Sequence, residues 1–296
     1  MPVDKKWLIL GGSGQLGSTL KLELLKRGIK PTVFSSMELD VRDFNKTSDV
    51  IRAIGPDYVI NCAAWTNVRE AELHEDEAEL LNGSAVGNIG ATTHAYGGTL
   101  VQISTDYVFS GNETSPYKVS DPVNPINAYG RTKLIGENLI SDMGIDRCYV
   151  MRTAWLYGEY GTNFIKTILN KYISGDEKIE IVNDQFGNPT NAIDLAQQII
   201  ESVESEIPYG TYHAVNSGVV SWFGFALKAF ELLNLNTEYL YAIPTTQNSP
   251  LVRPQNSSLD TSKWLECGMK EMRPWDEALK FSICDIFTQV QMERSS

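Results

Sequence analysis

The segment "LILGGSGQLGSTL", residues 8–20, constrains the fold more than any other. An apolar run ends in a Gly-rich turn, and an amphipathic run starts directly after it. Gly12, Gly14 and Gly17 satisfy GxGxxG, and Gly11, Gly14 and Gly17 satisfy GxxGxxG. Such a turn needs glycine for tightness, for close backbone approach to a pyrophosphate and for helix–strand packing. The helix that follows then presents unpaired N–H groups and a positive dipole end to the phosphates. The chain is therefore expected to start with a strand–turn–helix unit that binds a dinucleotide.

The rest of the first half continues that rhythm. Short apolar runs at 32–34, 57–64, 99–105 and 148–153 alternate with helical patterns at 43–54, 75–96 and 128–143. This alternation predicts an α/β fold, a Rossmann-type doubly wound parallel sheet covered by helices on both faces. After residue 153 the rhythm loosens, and a smaller C-terminal substrate lobe is expected over 153–296. A strand at 178–182 and a helix at 191–205 are expected to return to the dinucleotide-binding domain, 1–152. The Pro-containing stretch 242–260 has little periodicity and reads as loop. Gly83, Gly87 and Gly90 share one face of the third long helix, where each glycine costs about 1 kcal/mol relative to Ala. Close approach of another backbone is the expected compensation, from within the chain or from a second subunit, which leaves a homodimer open.

Charge excludes one class of partner. The chain has 25 Lys and Arg against 37 Asp and Glu, a net charge of −12 over 296 residues. Phosphate backbones would be repelled, so nucleic acid is not expected. Four cysteines are scattered without a CxxC pair, and three histidines lack ligand spacing, so no metal site is expected. No signal-peptide pattern and no membrane-length apolar run is visible, which predicts a cytoplasmic protein.

The fourth strand ends in "QISTDYVF", which puts Thr105 and Asp106 where ligands of open α/β sheets sit. Tyr129 and Lys133 follow in "AYGRTKLIGEN", four residues apart on one helix face. A phenol titrates near pH 10 by itself, and a nearby ammonium favours its ionised form. Such a pair can protonate an alkoxide as a general acid, and a threonine hydroxyl can hold the substrate oxygen. Thr105, Tyr129 and Lys133 are the candidate catalytic residues. At the end of the second strand, "VFSSMELD" carries no acid until Glu38 and Asp40, and no arginine stands there to favour a 2′-phosphate. NADPH and NADH both remain open as cofactor.

GxxGxxG, a threonine at the end of strand four and YxxxK together resemble the extended short-chain dehydrogenase/reductase superfamily. "GGSGQLG", "NCAAWTNVREAE", "STDYVF", "AYGRTKLIGE", "RTAWLYG", "DQFGNPT" and "RPQNSSLD" are similar to the dTDP-4-dehydrorhamnose reductase family. The resemblance implies reduction of the C4 ketone of dTDP-4-dehydro-L-rhamnose by NAD(P)H, with Tyr129 as proton donor. It implies that Lys133 binds the nicotinamide ribose and tunes Tyr129. Gly11, Gly14, Gln15, Leu16, Gly17, Asp40, Val41, Ala63, Ala64 and Trp65 would line the cofactor. Thr105, Asp106 and Trp155 would meet the nucleotide-sugar, with Asn163, Trp222 and Arg253 as further candidates in the second lobe. Core packing is the competing reading of Trp222, and loop capping that of Arg253.

Departures from the family pattern are few. Arg69 stands where an acid is usual, and "GSAVGNIG" replaces a more apolar continuation after Asn82. Thr19 occupies the position of a first-helix glutamate that contributes to an intersubunit metal site in some relatives, so none is expected here. Two rival activities follow from the same resemblance. A sugar-nucleotide dehydratase would want an Asp-Glu pair after Thr105, whereas Asp106 and Tyr107 follow it; an epimerase would show no net oxidation. The regulatory subunit of methionine adenosyltransferase, a non-catalytic relative, acts by binding a partner.

Overall fold

The computed structural model describes residues 5–246 and 252–295. Strand β1 (Trp7–Leu10) is buried along its whole length. That explains its unbroken apolar run, since a parallel strand covered on both faces has no polar side. Trp7 and Ile9 join one core with Leu16, Leu20 and Leu24 of α1 (Gln15–Lys26). Leu8 and Leu10 join a second core on the opposite face. Then come β2 (Thr32–Phe34), α2 (Phe44–Ile54), β3 (Tyr58–Asn61) and α3 (Val68–Leu73). The long helix expected at 75–96 is α4 (Glu75–Glu79), one π turn (Leu80–Ser84) and α5 (Ala85–Ala95) in continuous succession. β4 (Thr99–Thr105), α6 (Ala128–Asp142) and β5 (Cys148–Thr153) complete the first half.

The second half carries β6 (Leu156–Tyr157), α7 (Phe164–Ile173), β7 (Ile179–Val182), β8 (Phe186–Gly187), β9 (Thr190–Asn191), α8 (Ala192–Glu204) and β10 (Gly210–His213). It continues with β11 (Val220–Ser221), α9 (Trp222–Leu232), β12 (Leu240–Ile243), α10 (Lys263–Glu266) and α11 (Trp275–Ser295). The main sheet has six parallel strands in the order β10-β5-β4-β3-β1-β2. The order reverses at β1, so the crevice opens beyond the carboxyl ends of β1 and β3. A third core, with Ile165, Leu169, Phe225, Phe230, Leu279 and Ile283, belongs to α7, α9 and α11.

Two expectations about the chain's division are corrected. The stretch 178–205 does not return as a unit: β7 pairs with β12 in the second lobe, whereas α8 packs its apolar face into the core beside α1. Ile179 and Ile181 are covered while Glu180 between them is exposed. That alternation suits a strand covered on one face, not one sandwiched in a parallel sheet. Beyond residue 205, β10 adds the sixth strand beside β5, and Trp264 of α10 seals the same core. The stretch 242–260 starts as the end of β12 and is irregular over 252–260; residues 247–251 of it lie outside the described residues.

The glycine face has an internal partner. A Cβ at Gly83 would lie 2.8 Å from Ile135, at Gly87 3.2 Å from Leu139 and at Gly90 2.6 Å from Ile145. α6 and the loop after it fill the face that had left a second subunit open. Among the described residues, no helix is long and apolar enough to cross a membrane.

Candidate active site

The Gly-rich turn is built at backbone distance from its neighbours. Gly11 has φ +75°, and a Cβ there would meet Ala63 N at 2.6 Å. A Cβ at Gly17 would lie 2.4 Å from Gly11 O, so helix and turn meet without room for a methyl group. Gly12 N donates to Phe34 O at 2.8 Å, which ties the turn to the end of β2. Gly14 stands at the N-cap of α1 and supplies no side-chain acceptor, which leaves the first N–H groups of the helix for an anion. These residues fit a dinucleotide pyrophosphate.

The other residues expected around the cofactor divide by what their side chains do. Leu16 and Val41 are core residues and offer only backbone to the crevice. Gln15 donates to Leu156 O at 3.0 Å and accepts from Asn163 Nδ2 at 2.8 Å. Asp40 is gripped by Arg42, whose Nε and Nη2 reach its two oxygens at 2.9 and 2.6 Å. An arginine is thus present near the end of β2, two residues beyond Asp40, where the sequence showed none at the strand end itself. Ala63 and Ala64 follow β3, and Trp65 is held by Asn82, which accepts from Trp65 N at 2.9 Å and donates to Trp65 O at 3.1 Å. Asn82 lies in the π turn and also donates to Thr132 of α6 at 3.1 Å.

α6 is placed by caps on both sides of its first turn. Asn127 accepts from Gly130 N at 2.8 Å, Glu72 accepts from Ala128 N at 2.6 Å, and Arg131 forks onto Glu75 at 2.7 Å. A Cβ at Gly130 would lie 2.1 Å from Tyr107 O, so the helix start touches the chain just after β4. This brings Tyr129 to Thr105: the threonine hydroxyl acts on the phenol, and the Tyr107 ring meets the Tyr129 ring edge-on with centroids 5.9 Å apart. Thr105 Oγ1 donates to Asp106 Oδ1 at 2.9 Å, and the Ser257 hydroxyl acts on that carboxyl from the far loop.

Burial dominates the titration of all three ionisable groups. It pushes Tyr129 up to about 12, with the Thr105 hydroxyl opposing and Asp106 adding to the rise. It pushes Asp106 up to about 7 against the Ser257 and Thr105 hydroxyls. It brings Lys133 down to about 8 against the favourable charge of Glu137 and a smaller contribution from Cys62. Lys133 Nζ donates to Ile103 O, one residue from the end-strand pair Ser104 and Thr105.

In the second lobe the candidates separate. Trp155 has φ +45°, a left-handed backbone that a bulky residue adopts at a cost of about 1–3 kcal/mol. Its ring stacks on Trp222 with centroids 3.4 Å apart and planes 5° from parallel. Trp222 therefore packs on the very residue expected to meet the nucleotide-sugar. Asn163 has a structural role in the fold: Oδ1 accepts from Lys166 N as the cap of α7, and Nδ2 donates to Gln15 and Gly158 O. Its amide is spent on holding α7 to the turn. Arg253 is exposed, and its charge acts on Tyr107.

The sequence reading missed the group beneath the site. Glu137 is buried, accepts from the Ser104 hydroxyl, and is forked by Arg152 Nε and Nη2 at 3.1 and 2.7 Å. Arg152 stands opposite Ser104 in the β4–β5 register. The signal was available: Glu137 follows Lys133 by the same four residues that separate Lys133 from Tyr129. Ser257 had no such signal, since it reaches Asp106 from a loop 151 residues later in the chain.

Comparison with known proteins is consistent along the whole chain. The dTDP-4-dehydrorhamnose reductase of Streptomyces griseus is 36% identical over 93% of this chain and 91% of its own length. The dTDP-4-keto-6-deoxy-D-glucose reductase of Streptomyces niveus is also 36% identical, over 93% of this chain and 95% of its own. The structure of dTDP-4-dehydrorhamnose reductase from Bacillus anthracis str. Ames in complex with NADP matches with a TM-score of 0.89 at 33% identity, over 96% of this chain and 100% of that one. Residues 5–287 match the family described as RmlD substrate binding domain. The chain therefore belongs to that family, the family of the dTDP-4-dehydrorhamnose reductases.

Proposed function

We propose that this chain is an NAD(P)H-dependent reductase of the C4 ketone of dTDP-4-dehydro-L-rhamnose, giving dTDP-L-rhamnose. The observation that carries the reading is the convergence of Thr105 and Tyr129 at the carboxyl end of β4, beside the crevice that the Gly-rich turn enters. When bound, the cofactor supplies hydride to the C4 carbon. Tyr129 gives its phenolic proton to the C4 oxygen as negative charge develops there, and its high pKa keeps it protonated until then. The Thr105 hydroxyl orients that oxygen. Lys133, on the same helix face, stabilises the phenolate that remains and meets the nicotinamide ribose. Asp106 and Trp155 border the sugar-nucleotide, and Arg253 lies toward its phosphates.

A second substrate has a specific observation in its favour: the Streptomyces niveus relative, named for dTDP-4-keto-6-deoxy-D-glucose, is as similar as the Streptomyces griseus one. The test is oxidation of NADPH and NADH with each ketosugar nucleotide generated in situ. Oxidation that depends on dTDP-4-dehydro-L-rhamnose supports the proposal, and oxidation with only the other sugar moves it there. Tyr129→Phe should lower kcat by about 10²–10⁴-fold, the usual contribution of a positioned general acid, while cofactor affinity stays near wild type. Retained turnover would remove Tyr129 from the role.

A further inference from the structure

The loop after β2 holds an anion of its own. Glu38 Oε2 accepts from Ser35 N at 2.8 Å and from Ser35 Oγ at 2.7 Å. Ser35 is the first residue beyond β2, and the strand's last residue, Phe34, is bonded to Gly12 of the phosphate turn. In dinucleotide folds the adenosine ribose lies between these two segments, and the residue there reads the 2′ position. An acid at the strand end accepts from a 2′-hydroxyl, whereas a hydroxyl, a backbone N–H and nearby cations suit a 2′-phosphate. Here both elements are present, folded onto each other.

The surroundings are cationic. Lys46 Nζ donates to Glu38 O at 3.2 Å, and Lys21 of α1 acts on the Glu38 carboxylate through its charge. Arg42 stands two residues past Asp40 and is engaged by it. A carboxylate seated on a serine N–H and hydroxyl, with Lys21 acting on it through its charge, occupies the donors that a phosphate would take. We infer that Glu38 is an internal substitute for the ribose 2′-phosphate, and that it biases the cofactor site toward NADH by competing for Ser35. Glu38 is thus a specificity-determining residue delivered across a three-residue turn, instead of an acid placed on the strand end itself.

The inference rests on the reading of the Gly-rich turn as a dinucleotide site. Its test is the Kd of NADPH and of NADH, each measured by calorimetry without sugar nucleotide, on the wild-type chain, Glu38→Gln and Glu38→Gln/Ser35→Ala. Glu38→Gln should tighten NADPH by about tenfold, the scale of one charge-assisted hydrogen bond, and move NADH by less than about threefold. Adding Ser35→Ala should cancel the gain. An unchanged NADPH-to-NADH ratio in Glu38→Gln would overturn the proposal alone. A gain that survives Ser35→Ala would overturn it too, because the benefit would then be long-range charge. Binding of neither cofactor would remove the underlying site reading, and the proposal with it. Glu38 is exposed at the surface, so neither variant threatens the fold.

Discussion

At the scale of single residues, Asp106 is perturbed by its surroundings. Its carboxyl is pushed to about 7, from 3.8, by burial that two hydroxyls only partly offset. Between those two values the folded chain keeps a proton that the unfolded chain has lost. Stability must then fall as pH rises through that window, by about 1.4 kcal/mol for each tenfold difference in acidity between the folded and unfolded carboxyl. Asp106→Asn keeps an acceptor for the two hydroxyls and removes the titration. The melting temperature of the variant, relative to wild type, should be higher at pH 8 than at pH 4, and an equal difference at both would sink the argument. The sequence brought out Thr105, Tyr129 and Lys133 as candidates because strand end and helix period fix where such residues point. It did not disclose the Glu38–Ser35 bond, because a turn's hydrogen bonds depend on backbone angles that residue types there leave free.

At the scale of elements, α6 does more than present one face. Tyr129, Lys133 and Glu137 follow one another at i, i+4 and i+8, while Gly130 and Gly136 let the helix touch backbone elsewhere. A Cβ at Gly136 would lie 2.4 Å from Asn82 O, a backbone atom that cannot swing aside. Gly136→Ala should destabilise the chain in urea by about 1–3 kcal/mol, the cost of overpacking, despite the better helix propensity of alanine. Gly87→Ala, whose Cβ would meet the flexible Leu139 and Met143 side chains at 3.2 and 3.5 Å, should be nearly neutral. If the two variants unfold at the same urea concentration, the close backbone approach is not what requires Gly136. The strands of the first half were legible because each carries an apolar stretch that alternates with helical patterns. β10 was not: its "GTYH" is short and contains no aliphatic residue, and its assignment to the sheet comes from β5 alongside it. β7 was legible as a strand but not as a partner of β12, which lies some sixty residues later.

At the scale of the whole molecule, the two lobes are joined through the phosphate turn. Gln15 sits between Leu156 O on one side and Asn163 on the other, and Asn163 caps α7. Asn163→Ala should lower the melting temperature by the loss of a cap, about 0.5–2 kcal/mol, and should weaken cofactor binding several-fold through Gln15. A change in the KM of the sugar-nucleotide with unaltered cofactor affinity would instead return Asn163 to the substrate. Within the second lobe stands a pair of indoles, Trp155 from the segment after β5 and Trp222 from the start of α9, stacked at 3.4 Å. Two chromophores in van der Waals contact couple optically. Any event that parts them by the thickness of one ring therefore writes itself into the near-ultraviolet circular dichroism, and the molecule carries its own label-free gauge of the packing beside its substrate side.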